Sequence, residues 1–186
     1  MDSVKTRPLW LLLLFLIAGC GGMMDDLAPS TTDKRPAVQC GITGPDVCQF
    51  APDFTISDTL GNMVTLSSVI ASPGVRGTVL YFTMWCPVCD THMSNMRSSV
   101  MPGYPNVRFF LVDYVSGSVS NARSAELSNG YADSGFTVLA DNDRTVLDLF
   151  HGTMGTTVVI DPAGVVRFNE DYKDGARLRS VLAALP

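Results

Sequence analysis

The sequence predicts one α/β domain whose single mixed β-sheet carries helices on both faces. Two short runs, residues 78–82 (TVLYF) and 107–112 (VRFFLV), are dense in β-branched and aromatic side chains, the pattern of strands buried on both sides. Segments of helical spacing lie between them, which calls for a parallel crossover. A late pair of runs, 156–160 and 165–168, meets across Asp161-Pro162-Ala163-Gly164 and reads as an antiparallel hairpin. The chain's 186 residues are 46% hydrophobic and 17% charged, which suits one ordinary core with an appendage.

The appendage comes first. Lys5 and Arg7 precede an apolar run from Leu9 to Ala18, and Gly19-Cys20 follows. The run is about half the length that a membrane-spanning helix requires, so residues 1–19 read as a targeting segment. Ile17-Ala18-Gly19-Cys20 resembles the bacterial lipobox, which implies cleavage before Cys20 and a diacylglycerol on its sulfur. The alternative is an ordinary signal peptide in which Cys20 is incidental. Gly21, where an aspartate would resemble an inner-membrane retention signal, implies outer-membrane sorting. Residues 20–39 are rich in Gly, Pro, Ser, Thr and Asp without apolar periodicity, and read as a flexible tether.

Residues 40–186 form the expected domain. Asp53-Phe54-Thr55-Ile56 and Val64-Thr65-Leu66 flank Leu60-Gly61-Asn62 and predict an N-terminal hairpin extension. After the strand at 78–82, a helix is predicted from Cys86 to about Val100. Pro87 is tolerated in its first turn, Met93, Met96 and Val100 share a face, and Pro102 ends it. The strand at 107–112 leads to a helix over 120–129 closed by Gly130. Thr137-Val138-Leu139, a short helix over 143–150, the late hairpin and a helix over 175–185 complete the order.

Net charge is −5, which excludes the clustered basic surface that nucleic acid requires. Five cysteines remain to be assigned. With Cys20 given to lipid, the other four make an even set, as an oxidising compartment favours. Cys40 and Cys48 enclose Gly41, Gly44 and Pro45, a turn able to bring two Cα atoms to disulfide distance; a structural bridge is predicted, with two separate thiols as the alternative.

Trp85-Cys86-Pro87-Val88-Cys89 follows a buried strand and opens a helix. The reactive species of a cysteine is its thiolate, and a helix N-terminus places free N–H groups and positive partial charge beside the first sulfur. Cys86 is therefore the predicted nucleophile, and Cys89, one turn on, the sulfur that resolves the mixed disulfide. A structural disulfide or half of a zinc site is the alternative, although zinc needs four ligands and the chain has no second Cys-X-X-Cys.

These residues, with Ala51-Pro52-Asp53-Phe54 and Thr157-Val158-Val159-Ile160-Asp161, resemble the thioredoxin-like family over residues 50–186, specifically its membrane-tethered TlpA/ResA-like branch and the neighbouring peroxiredoxin-like redoxins. The resemblance implies a thioredoxin fold and a disulfide reductase or thiol oxidant of the bacterial cell envelope. It would face the periplasm as a lipid-anchored monomer, need no cofactor or metal, and act on protein or small-molecule thiols and disulfides. Trp85, Pro87, Val88, Met154, Gly155 and Thr156 become the active-site neighbours. Gly155 stands where similar proteins carry a cis-proline facing the cysteines, and His92 replaces a glutamate that assists proton transfer in TlpA/ResA-like proteins. A histidine three residues after Cys89, titrating near neutral pH, is placed to take that sulfur's proton; a surface histidine without a role is the alternative. Asp90 would oppose ionisation of the thiols.

Two further readings stand beside exchange. Thr83, three residues before Cys86, fits half of a thiol-peroxidase pattern, but Val79 occupies the place of its proline. Copper(I) binding through Cys86 and Cys89 with His151, Met154 or His92 is the other, prompted by nine methionines. Met93 and Met96, at helical spacing, read as core filling. Pro87-Val88 lacks the histidine that strongly oxidising relatives carry between their cysteines, which favours the reductive direction.

Overall fold

The computed structural model describes residues 37–186. The targeting segment, Cys20 and most of the tether lie outside the described residues. Residues 38–186 form one compact unit. Its centre is a five-stranded sheet in the order β5-β4-β3-β6-β7, built from β3 (Gly77–Thr83), β4 (Val107–Asp113), β5 (Thr137–Ala140), β6 (Thr156–Ile160) and β7 (Val166–Asp171). Strands β3, β4 and β5 run parallel, while β6 pairs antiparallel with both β3 and β7. This is the mixed sheet of the thioredoxin fold.

The alternation along β3 assigns the two faces. Val79 and Tyr81 pack with Met93, Met96, Val100, Leu178 and Leu182 beneath α2 (Pro87–Asn95) and α5 (Ala176–Ala183). Leu80 and Phe82 point the other way, into Phe54, Leu66, Val146, Leu147 and Phe150 beneath α1 (Leu66–Ile70) and α4 (Thr145–Leu149). Both faces are thus covered by helices, and the strand immediately before the two cysteines is buried on both sides, with Val79 to Phe82 all at 0% exposure. The remaining helix, α3 (Val119–Ser128), starts from a Ser118 cap that accepts from the Asn121 amide and packs beside β5.

The N-terminal extension differs from its expected bounds. Its strands are β1 (Thr55–Ser57) and β2 (Met63–Thr65), and Leu66 opens α1 instead of ending a strand. The cause is Asp53, whose carboxylate accepts from the Ser67 amide at 2.9 Å and the Ser67 hydroxyl at 2.7 Å, so it caps a helix fourteen residues downstream. The hairpin joins the sheet through its turn, where Thr59 donates its amide to the Val138 carbonyl at the β5 edge.

The helix after Cys89 also departs from expectation. It is α-helical only to Asn95, continues as a π turn over Met96–Val100 and closes as a 3₁₀ turn over Met101–Gly103. Within it Ser98 Oγ donates to the Ser94 carbonyl at 2.8 Å, the same bond back along the helix that Ser124 makes to Ser120 in α3.

At the opposite edge, Cys40 and Cys48 are joined by a disulfide with their Cα atoms 4.9 Å apart. The bridged loop is tied to β7 by Cys48 N–H to the Val166 carbonyl and Val166 N–H to the Gln49 carbonyl, each 2.9 Å, and so pairs with the start of an otherwise open strand edge. From the chain entropy of a short loop, replacing both cysteines by alanine is expected to lower unfolding stability by about 2–3 kcal/mol, read as a lower midpoint in urea.

Candidate active site

Strand β3 delivers the chain to the site at Thr83. Two residues later Trp85 takes a left-handed backbone (φ +59°), a costly conformation for a bulky side chain. It is held there from both ends. Its amide donates to Thr83 Oγ1 at 3.1 Å, and its indole Nε1–H donates to the buried Asp113 carboxylate at 2.7 Å. Asp113, at the end of β4, is fixed by the Val115 and Ser116 amides and the Ser116 hydroxyl. The kink turns the chain so that Cys86 becomes the N-cap of α2, its sulfur accepting from the Cys89 amide at 3.2 Å. Pro87 occupies the first helical position, where no amide hydrogen is required.

The sulfurs of Cys86 and Cys89 lie 2.6 Å apart and carry no disulfide. Cys86 is half-buried and Cys89 is fully buried. Val88, beside Cys86, is 51% exposed, and Met84 is 46% exposed, so the rim is open and apolar. Burial raises the pKa of Cys89, but hydrogen bonds from Cys86, from the Met84 and Cys86 backbone and from Thr83 outweigh it, and the Cys89 thiol sits below its ordinary value. The Asp90 carboxylate accepts from the Tyr131 hydroxyl at 2.7 Å. Burial, with the Asp90 carboxylate adding to it, pushes the Tyr131 phenol up to about 12, so it stays a donor.

Behind the cysteines His92 does not meet Cys89 directly. Its Nδ1 is 3.0 Å from the hydroxyl of Tyr81, on β3, and its ring lies 4.9 Å from that of Tyr172. Tyr81 packs with Cys89 in one buried cluster, near enough to feel the charge of its sulfur. Burial, and then the nearby charges of Cys89 and Cys86, raise the Tyr81 pKa. Burial lowers that of His92, with the Asp171 carboxylate opposing it.

Gly155 borders this pocket, with a φ of +87°. Its N–H donates to the Phe82 carbonyl at 3.0 Å and its carbonyl accepts from the Tyr172 amide at 2.8 Å. A β-carbon there would stand 3.8 Å from the His92 ring. The cis-proline loop implied by the resemblance is replaced by a glycine that donates a hydrogen bond proline cannot make. Thr156 is buried and bonds back to Thr153, while Met154 is 38% exposed. His151 lies exposed on the turn after α4. Among the described residues, no group of three or more His, Cys, Asp or Glu side chains could hold a metal ion.

A profile described as the AhpC/TSA family matches residues 47–169, more than half of the chain. The chain belongs to the AhpC/TSA family. Within it, the fold and the solved relatives make the protein a thioredoxin-like oxidoreductase. MTB dsbF, solved in mixed oxidized and reduced forms, is 25% identical, covering 72% of this chain and 95% of its own at a TM-score of 0.58. A secreted Mycobacterium tuberculosis disulfide oxidoreductase homologous to E. coli DsbE is 23% identical, covering 71% and 96% at 0.54. Peroxidoxin BcpB from Mycobacterium tuberculosis is 20% identical, covering 73% and 92% at 0.57. No curated protein matches this sequence significantly.

Sequence reasoning named both cysteines but missed Tyr81, Asp113 and Tyr131. Tyr81 stood inside an apolar run and read as core. Its signal was the hydroxyl itself: a tyrosine on a strand buried on both sides needs a polar partner, and residue 81 shares a face with Val79 toward the cysteine helix.

Proposed function

We propose that the protein reduces disulfides in the cell envelope by dithiol–disulfide exchange through Cys86 and Cys89. The observation that carries this is the pair itself: a half-buried sulfur capping a helix, 2.6 Å above a buried one. Cys86 thiolate attacks a substrate disulfide, one substrate sulfur leaves, and a mixed disulfide forms. Cys89 then attacks Cys86 Sγ, which releases the second substrate sulfur and leaves the enzyme as the disulfide. Two electrons pass to the substrate, whose sulfurs leave as thiolates and take protons from solvent, and a dithiol donor restores the enzyme. His92 serves as the base for Cys89. Trp85, Pro87 and Val88 shape the approach to Cys86, and Met154, Gly155 and Thr156 form its opposite wall.

The open apolar rim suits a protein substrate, and the protein acts as a monomer without cofactor or nucleic acid. Residues 1–19 serve as a lipoprotein signal peptide, and lipid on Cys20, with residues 20–39 as tether, holds the domain at the membrane, facing the periplasm. Among the described residues no helix is long and apolar enough to cross a membrane. The reductive direction rests on Pro87-Val88, which places no histidine between the cysteines. The hydrogen bonds favouring Cys89 ionisation act the other way, because they stabilise the dithiol form. Titration against glutathione is expected to place the couple on the thioredoxin side of about −200 mV; a midpoint near −120 mV would make the protein an oxidant.

Peroxide reduction is the second reading, favoured by Thr83 and by the family. The Thr83 hydroxyl is engaged by the Trp85 amide, which leaves exchange as the better fit. Rapid peroxide consumption with sulfenic acid at Cys86 would reverse that order.

A further inference from the structure

A buried thiol that must lose its proton needs an exit. Cys89 is fully buried, and so is Tyr81. While Cys86 is bonded to a substrate, its sulfur cannot take the proton. The Thr83 hydroxyl nearby is buried and already accepts from the Trp85 amide; the polar group that leads outward is the Tyr81 hydroxyl, which packs in the same buried cluster as Cys89 and lies 3.0 Å from Nδ1 of the partly exposed His92. We propose that Tyr81 relays the Cys89 proton to His92 during resolution of the mixed disulfide. This rests on the exchange reading given above.

The step balances without an added reactant. Cys89 S–H passes its proton to Tyr81 Oη as Tyr81 passes its own to His92 Nδ1. Cys89 then attacks Cys86 Sγ, the bond between Cys86 and the substrate sulfur breaks, and the substrate leaves as a thiolate. His92, now an imidazolium, returns its proton to solvent from its partly exposed ring. The phenol never exists as a free tyrosinate, which agrees with the strong upward shift that burial gives it. Taking Tyr81 as donor assigns His92 the tautomer with hydrogen on Nε2, leaving Nδ1 to accept.

The surroundings favour transfer in this direction. Besides Tyr81, His92 faces Tyr172 and the Asp171 carboxylate, and its pKa is lowered, so it is a neutral acceptor at neutral pH. Cys89 faces Cys86, Thr83 and Tyr81, with Tyr114 near enough to feel its charge. After ionisation the same hydroxyl can swing to donate to the thiolate, so one group serves both as conduit and as stabiliser. Tyr172 is held against His92 by its hydroxyl on Asn95 Oδ1 at 2.6 Å and its amide on the Gly155 carbonyl.

The test follows the two phases of reaction between the reduced protein and 5,5′-dithiobis(2-nitrobenzoate) in stopped flow. Attack by Cys86 releases one thionitrobenzoate, and resolution by Cys89 releases the second. Tyr81→Phe keeps the ring and removes the hydroxyl; the first phase should hold and the second should slow at least about tenfold, at the low end of general acid–base effects. His92→Gln should slow the second phase similarly, and the double variant should be no slower than either single one, because both break one path. In both single variants the pH profile of the second phase should move upward. An unchanged second phase in Tyr81→Phe, or slowing that multiplies in the double variant, would overturn the relay while leaving exchange intact. A missing first phase in the wild type would overturn exchange and the relay together. In the wild-type protein the second phase should slow in D₂O, and an equal rate in both solvents would overturn the relay however the variants fold.

Discussion

Replacing Cys86 by serine is expected to abolish disulfide reduction, lowering the rate on the order of a thousandfold or more, while the fold stays intact. The nucleophile of exchange is a thiolate, and a serine hydroxyl does not ionise near neutral pH. The folding cost is small because the position is a helix cap. Serine is a strong N-cap, and its oxygen can accept from the residue 89 amide as the sulfur does at 3.2 Å. Cys89→Ser should behave differently. Cys86 retains its place at the helix terminus and still attacks, but nothing resolves the product, so the variant should accumulate a stable mixed disulfide after one round. Insulin turbidity in the presence of dithiothreitol measures the first effect, and non-reducing electrophoresis with a disulfide-bearing protein measures the second. Equal residual rates in the two variants would contradict the division of labour between the sulfurs.

Gly155→Pro is expected to be the most damaging substitution for stability among those bordering the site. The residue sits at φ +87°, which a pyrrolidine ring near −65° cannot reach. Its N–H also holds the Phe82 carbonyl at the end of β3, and that bond would vanish. Together these cost roughly 3 kcal/mol or more, a fall in melting temperature of about 6–12 °C for a domain of this size. Gly155→Ala keeps the hydrogen bond and places its β-carbon in ordinary contact with His92, 3.8 Å away, so it should lose only the left-handed strain, about 1 kcal/mol. The expected order by thermal denaturation is glycine above alanine above proline. A proline variant as stable as the wild type would show that the loop accepts the cis-proline geometry after all.

The contrast at residue 155 shows where a linear sequence stops being informative. The missing proline was visible, but not the backbone that replaces it, because a positive φ at glycine costs little and leaves no mark on neighbouring residues. The central strands were legible because residues 78–82 and 107–112 are apolar on both faces, a pattern only a covered sheet produces. The cysteine pair was legible because its spacing, its strand and its helix agree. Helix α1 was not: five residues long, it depends on Asp53, fourteen positions earlier, for its cap. The end of α2 was misread because Met96 and Val100 keep one buried face whether the turn is α or π. Asp90 was read from its adjacency to Cys89, whereas its partner, Tyr131, is forty-one residues away. The same holds for Trp85 and Asp113. Contacts that orient a site are made between elements, and no local pattern encodes them.

Access separates the two sulfurs, which makes their competition for an alkylating reagent informative. Cys89 is sealed from solvent, whereas Cys86 is the one a partner can reach. Brief treatment of the reduced protein with iodoacetamide at neutral pH, followed by peptide mass spectrometry, decides between them. The account predicts carbamidomethylation at Cys86 first, with Cys89 modified only after unfolding. First modification at Cys89, or equal labelling of both in the folded protein, would contradict it.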